Sequence, residues 1–154
     1  MPDKSYYDSL PKKYMAGGAL VSNSEGKILV LKTTYKDDWE IPGGGVEQDE
    51  SPKQATKREV KEELGLDREI GELLVVDHWP AVEPKGDNLM FVFDGGVVDE
   101  QDLKLNKEEF AEGKFVILEE AMKVLSDRLG LRVAMAKKAK QQQRTLCLEQ
   151  GREE

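Results

Sequence analysis

Pro42-Gly43-Gly44-Gly45 runs into a segment that carries both a start and a stop signal for a helix, and this junction limits the possible folds more than any other part of the chain. Ser51 can N-cap the helix, Pro52 suits its first position, and Gln54 completes a Ser-x-x-Gln capping box. Gly65 can close it in the left-handed conformation. Ala55, Val60 and Leu64 supply a side to bury. On such a helix Glu59, Glu62 and Glu63 fall at i, i+3 and i+4, with Cβ atoms roughly 5–6 Å apart on one face. Three carboxylates this close repel unless a cation joins them. Hard divalent ions take carboxylate and carbonyl oxygens, and Mg²⁺ keeps waters and adds substrate phosphate. The face is therefore predicted to be a Mg²⁺ or Mn²⁺ platform. Arg58 stands off the shared edge, where it can pair with Glu50. Gly43 and Gly44 let a backbone carbonyl reach the same ion.

Taken alone, the helix is more simply a solvated acidic face, because Lys53, Lys57, Arg58 and Lys61 supply i,i+4 partners. The glycine-rich approach and the spacing to Glu50 reverse that balance. Composition limits the partners. A net charge of −8 lacks the basic footprint of a bulk nucleic-acid binder, but a bound cation can still invert the local charge for a small phosphorylated ligand. Cys147 is the lone cysteine, which excludes an intramolecular disulfide and a cysteine metal cage. No apolar run approaches signal-peptide or membrane-span length, so a soluble, cytoplasmic protein with no membrane partner is expected.

The remaining pattern predicts one domain over 1–154. Residues 1–13 form a loose arm. Tyr14–Ser22 and Lys27–Lys32 are predicted as a hairpin around Asn23-Ser24-Glu25-Gly26. Trp39-Glu40-Ile41 is short and extended, with Ile41 held out of the helical region by Pro42. Apolar runs at Leu73–Trp79 and Leu89–Val98 bracket a loop of turn residues. Lys114–Leu118 is predicted as a strand. Glu119–Leu129 is predicted as a helix with Met122, Leu125 and Leu129 inward, and Leu131–Gln143 as a further, weakly patterned helix. Thr145–Leu148 would close the chain as a short strand, so 131–154 is a C-terminal helix and strand. Strands and helices mix without βαβ regularity, which predicts an α+β or mixed α/β fold. The helix from Leu131 is the candidate contact for a homodimer.

The stretch Gly44, five residues, Glu50, seven residues, Arg58-Glu59-Val60-Lys61-Glu62-Glu63-Leu64-Gly65-Leu66 resembles the Nudix box of the MutT-like pyrophosphohydrolases. All nine specified positions match over 23 residues. The element order over 14–129 is likewise similar to the family's α/β/α sandwich with a mixed β-sheet. The resemblance implies that Glu59, Glu62 and Glu63 ligate divalent ions, with the Gly43 carbonyl as a further ligand. It implies that Glu59 also serves as the general base or helps to position it, that Arg58 and Glu50 orient the set, and that Gly44 and Gly65 are shape residues. The implied reaction is hydrolysis of a nucleoside diphosphate linked to a moiety X, giving a monophosphate and phosphorylated X. Candidate substrates are nucleotide sugars such as ADP-ribose, dinucleotides and (deoxy)nucleoside triphosphates. A Nudix-fold module that binds without turnover is the alternative, but such modules usually lose box carboxylates and none is lost here.

Outside the box the signals are weaker. Family members often use a further glutamate; Glu112, three residues before Phe115, is the first choice and Glu109 the second. Trp39, Tyr35, Trp79 and Phe91 could stack on a base, although aromatics are more often core. Lys85 could touch a phosphate and His78 could donate a proton, against solvated and structural roles respectively. Pro80 lies near where the family's ADP-ribose hydrolases tend to carry a proline. Trp39, Gly44, Trp79 and Lys85 are taken as the substrate-binding candidates.

Overall fold

A computed structural model describes residues 1–153. Strand β1 (Tyr14–Ser22) is its axis. It pairs in parallel along its length with β6 (Asn88–Val97). On its other edge it takes β4 (Gly43–Gly45) antiparallel, then meets β2 (Ile28–Thr33) at Ser22↔Ile28. The mixed sheet continues from β6 to β5 (Leu73–Trp79), β8 (Leu146–Glu149) and β9 (Arg152–Glu153). Beyond β2 lie β3 (Trp39–Glu40) and β7 (Phe110–Val116).

The strands are buried on both faces, so their apolar runs are nearly continuous rather than alternating with polar residues. Ala19, Val21, Leu29 and Leu31 pack against Val60 and Leu64 of helix α2 (Pro52–Leu64). Leu20, Ile28 and Val30 point the other way, toward Ala121 and Leu125 at helix α3 (Leu118–Val124) and toward Val133, Ala136 and Ala139 of helix α4 (Asp127–Gln142). The result is the expected mixed-sheet α/β/α sandwich. Among the described residues, no helix is long and apolar enough to cross a membrane.

Four local expectations change. The arm at 1–13 contains a short helix, α1 (Lys4–Ser9), N-capped by Asp3 and burying no residue. The predicted hairpin has its turn, tied by the Asn23 side chain to the Glu25 and Lys27 amides, but its strands diverge because β4 occupies the edge of β1. The predicted helix over Glu119–Leu129 breaks at Leu125, which is extended, and Ser126 N-caps a new helix. Met122 is consequently exposed rather than inward. The helix predicted from Leu131 begins earlier, at Asp127, as α4, and its buried Val133, Ala136 and Ala139 pack on the chain's own sheet.

Candidate active site

The site forms where β4 lies between β1 and α2. Gly17 and Gly43 make this layer thin. A Cβ on Gly17 would stand 2.6 Å from the Pro52 carbonyl oxygen, and one on Gly43 would stand 2.7 Å from Gly18 Cα. Helix α2 has its full capping box, with Ser51 and Gln54 bonding each other's amides, and a left-handed Gly65 at its end. Its last carbonyls are met by the loop after β6: Lys104 N–H donates to Leu64 O and Asn106 N–H to Glu63 O. That docking brings Glu109 toward the helix.

Arg58 organises the acids. Its Nε and Nη2 donate to both oxygens of Glu50, at 2.8 and 3.0 Å. Nη2 also donates to the Gly45 carbonyl at 3.1 Å, and Nη1 to Glu59 Oε1 at 2.8 Å and Glu62 Oε2 at 3.4 Å. The guanidinium holds the Glu50 carboxyl below the usual carboxylate range. Glu59 is pushed up by burial, against the pull of Arg58. Glu63 is 2% exposed and accepts the Gly43 N–H at 2.8 Å. Burial, then the charges of Glu59, Glu109 and Glu40, push its carboxyl up to about 9. Glu62 is half exposed at the rim.

Gly44 faces Glu59 directly, and a Cβ there would stand 2.6 Å from Glu59 Oε1. Gly44→Ala should therefore displace the carboxylate while leaving the strand in place, since the obstacle is the end of a flexible side chain. The expected result is a roughly 100-fold loss of turnover with a melting temperature close to wild type. Unchanged turnover would show that Glu59 can function elsewhere.

Beside Gly43 and Gly44 a cleft of about 480 Å³ opens, walled by Trp39, Glu40, Lys85, Arg128 and Arg132 among others. Trp39, Gly44 and Lys85 line this cleft. Trp79 does not line the cleft; its ring lies 4.0 Å from the Arg128 guanidinium carbon and its Nε1 donates to Asp77. Glu112 is exposed on β7 opposite Lys32, and Glu109 is the acid whose charge reaches Glu59 and Glu63. His78 lies between Asp87 and Glu149, away from the cleft lining. Sequence reasoning missed Glu40, whose carboxyl is also raised by burial, and the two α4 arginines.

The donor set suits a hard divalent cation. It is all oxygen, it includes the buried Glu63 with no cationic partner, and Gly44 leaves a cradle beside Glu59. Among the described residues no three acids converge at ligand distance, because Arg58 and the Gly43 amide hold them individually. Side-chain rotation would have to bring them together.

A family model of the NUDIX domain matches residues 12–137. This chain belongs to the Nudix hydrolase family. It is 27% identical to the MutT protein of Methanosarcina mazei Go1, with a TM-score of 0.69 over 88% of this chain and 99% of that one. An Ap4A hydrolase of C. elegans shares the fold at 23% identity, with a TM-score of 0.65 over 84% of this chain and 97% of that one. An RNA pyrophosphohydrolase of Hydrogenovibrio crunogenus is 48% identical over 50 residues, which are 32% of this chain and 30% of that protein. The chain spans about a third of the length of the curated relatives it matches.

Proposed function

We propose that the protein is a divalent-metal-dependent pyrophosphohydrolase that cleaves a nucleoside diphosphate linked to a moiety X into a nucleoside monophosphate and phosphorylated X. The observation that carries this is the Glu50–Arg58–Glu59 chain of hydrogen bonds and the buried Glu63 held by the Gly43 amide, beside a nucleotide-sized cleft that Gly43 and Gly44 line. Glu59, Glu62 and Glu63 would hold Mg²⁺ or Mn²⁺, with the Gly43 carbonyl and Glu109 as further donors. The bound ion supplies charge neutralisation of the diphosphate and a lowered pKa for the attacking water.

The chain's own part is positional. Glu50 holds Arg58 through a bidentate pair, and Arg58 pins Glu59 by Oε1. Oε2 of Glu59, the oxygen that Arg58 does not hold, would take the proton from water, and the partial burial of the carboxyl raises its basicity. The Gly43 amide keeps the Glu63 carboxyl aimed at the same end of the cleft. Trp39 supplies an aromatic wall whose ring carries Lys114 Nζ at 4.7 Å.

A product-resolved screen with Mg²⁺ and Mn²⁺ tests this proposal. The panel comprises ADP-ribose, dinucleoside polyphosphates, nucleotide sugars, (deoxy)nucleoside triphosphates and, given a relative named RNA pyrophosphohydrolase, a 5′-triphosphorylated RNA. The expected result is cleavage of a diphosphate linkage that stops on metal removal. Nucleotide binding without turnover across both metals and pH would overturn it in favour of a non-catalytic module.

A further inference from the structure

Two arginines four residues apart on α4, Arg128 and Arg132, line the cleft together with Asp38 and Glu40. The Arg132 side chain is only 10% exposed. Its Nε donates to Asp77 Oδ2 at 3.0 Å, while among the described residues Nη1 and Nη2 find no acceptor. Neither terminal nitrogen is sealed from solvent, and the residue lines the cleft, so these donors open into it. A nearly buried guanidinium with two free donors at a cavity wall suits an anion that matches its planar fork.

The neighbours are built around the same need. Asp77 is fully buried and accepts from Arg132 Nε, Trp79 Nε1 and the Gly151 amide. The Trp79 ring, fixed through that bond, carries the Arg128 guanidinium at 4.0 Å. One carboxylate therefore positions both arginines, directly and through an aromatic plate. Asp77 offsets only one of the two charges, and Lys85 lines the same cleft. In a chain of net charge −8 this concentration of cations is local and specific.

We propose that Arg128 and Arg132, with Lys85, form a subsite for a phosphate beyond the scissile diphosphate, so that the preferred substrate carries at least one phosphoryl group more than a simple nucleotide sugar. This rests on the pyrophosphohydrolase assignment for the acidic end of the cleft. The extra phosphate has two chemical sources: a third phosphoryl in the same chain, as in nucleoside triphosphates, or a phosphomonoester on a ribose.

Calorimetric binding of the full chain in EDTA separates them. The ligand pairs are ATP against ADP, and 2′-phospho-ADP-ribose against ADP-ribose. A charge-assisted contact to a desolvated guanidinium should tighten binding by about 10- to 100-fold. The pair that shows the gain names the source. Arg128→Ala, at an exposed position, should reduce the gain to under about threefold. Arg132→Lys, which keeps the charge and loses the fork, should also cut it. No gain in either pair, or a gain that survives Arg128→Ala, overturns the subsite. Because metal is absent, failure of turnover in the substrate screen would sink the hydrolase assignment and leave this result standing; turnover without the gain would sink the subsite alone.

Discussion

Glu63→Gln should abolish hydrolysis and, at the same time, make the metal-free protein more stable at alkaline pH. The two effects have one cause. Glu63 is buried against the Gly43 amide, among Glu59, Glu109 and Glu40, with no cation beside it. Its folded carboxyl holds a proton up to about 9, whereas the ordinary value is 4.5. Between these values the folded state binds more protons than the unfolded state. Stability contributed by this group is therefore fully present below about 4.5 and is lost as pH rises through about 9. A glutamine keeps the acceptor for the Gly43 amide and has no proton to lose. The variant should melt higher than wild type at pH 8 in EDTA, and its melting temperature should depend less on pH. Turnover should fall on the order of 10³-fold, the scale seen when one preorganised polar group is removed from a site. Wild type should release protons on binding Mg²⁺ near neutral pH, and the variant should release fewer, because ligands must shed protons to bind metal. Retained turnover, or a variant less stable than wild type at pH 8, would sink this account of Glu63.

The layers of the fold and the acidic helix were legible in the sequence for the same reason: each depends on local spacing. Ser51, Pro52, Gln54 and Gly65 specify α2 by capping chemistry alone, and the spacing of Glu50 and Arg58 anticipates their pairing. The apolar runs at Ala19-Leu20-Val21 and Ile28–Leu31 announce strands covered on both faces.

What escaped the sequence depends on tertiary docking. Spacing from Phe115 favours Glu112 over Glu109. The docking of the Lys104–Asn106 segment on the end of α2, which spacing does not reveal, is what brings the charge of Glu109 to bear on Glu63. The break at Leu125 was hidden because Met122, Leu125 and Leu129 keep a helical period across it. Ser126-Asp127 carried the usable signal, an N-cap followed by an acidic first turn, and Ser126 Oγ does accept from the Leu129 amide at 3.3 Å. Missing that break concealed the cationic wall, because Arg128 and Arg132 belong to the new helix. Asp77 was a second signal. A lone carboxylate in the run Leu73-Leu74-Val75-Val76-Asp77 has to find a buried partner.

Asp77→Ala should be the most damaging single change outside the carboxylate cluster. It would leave Arg132 nearly buried without its counter-charge, and the Trp79 indole and Gly151 amide without their acceptor. Breaking a buried pair from one side costs about 3–5 kcal/mol, against a typical folding stability of about 5–15 kcal/mol. For a chain of this length the melting temperature should fall by roughly 10 °C or more. Replacing both members, as in Asp77→Ala with Arg132→Met, removes the stranded charge and should recover a good part of the loss. A double variant as unstable as the single one would show that Asp77 acts mainly through Trp79 and Gly151. If the pair was retained for packing alone, the repaired protein should bind ATP and ADP with the same preference as wild type. If Arg132 is kept in the cleft wall to bind phosphate, stability should return while the phosphate preference stays lost.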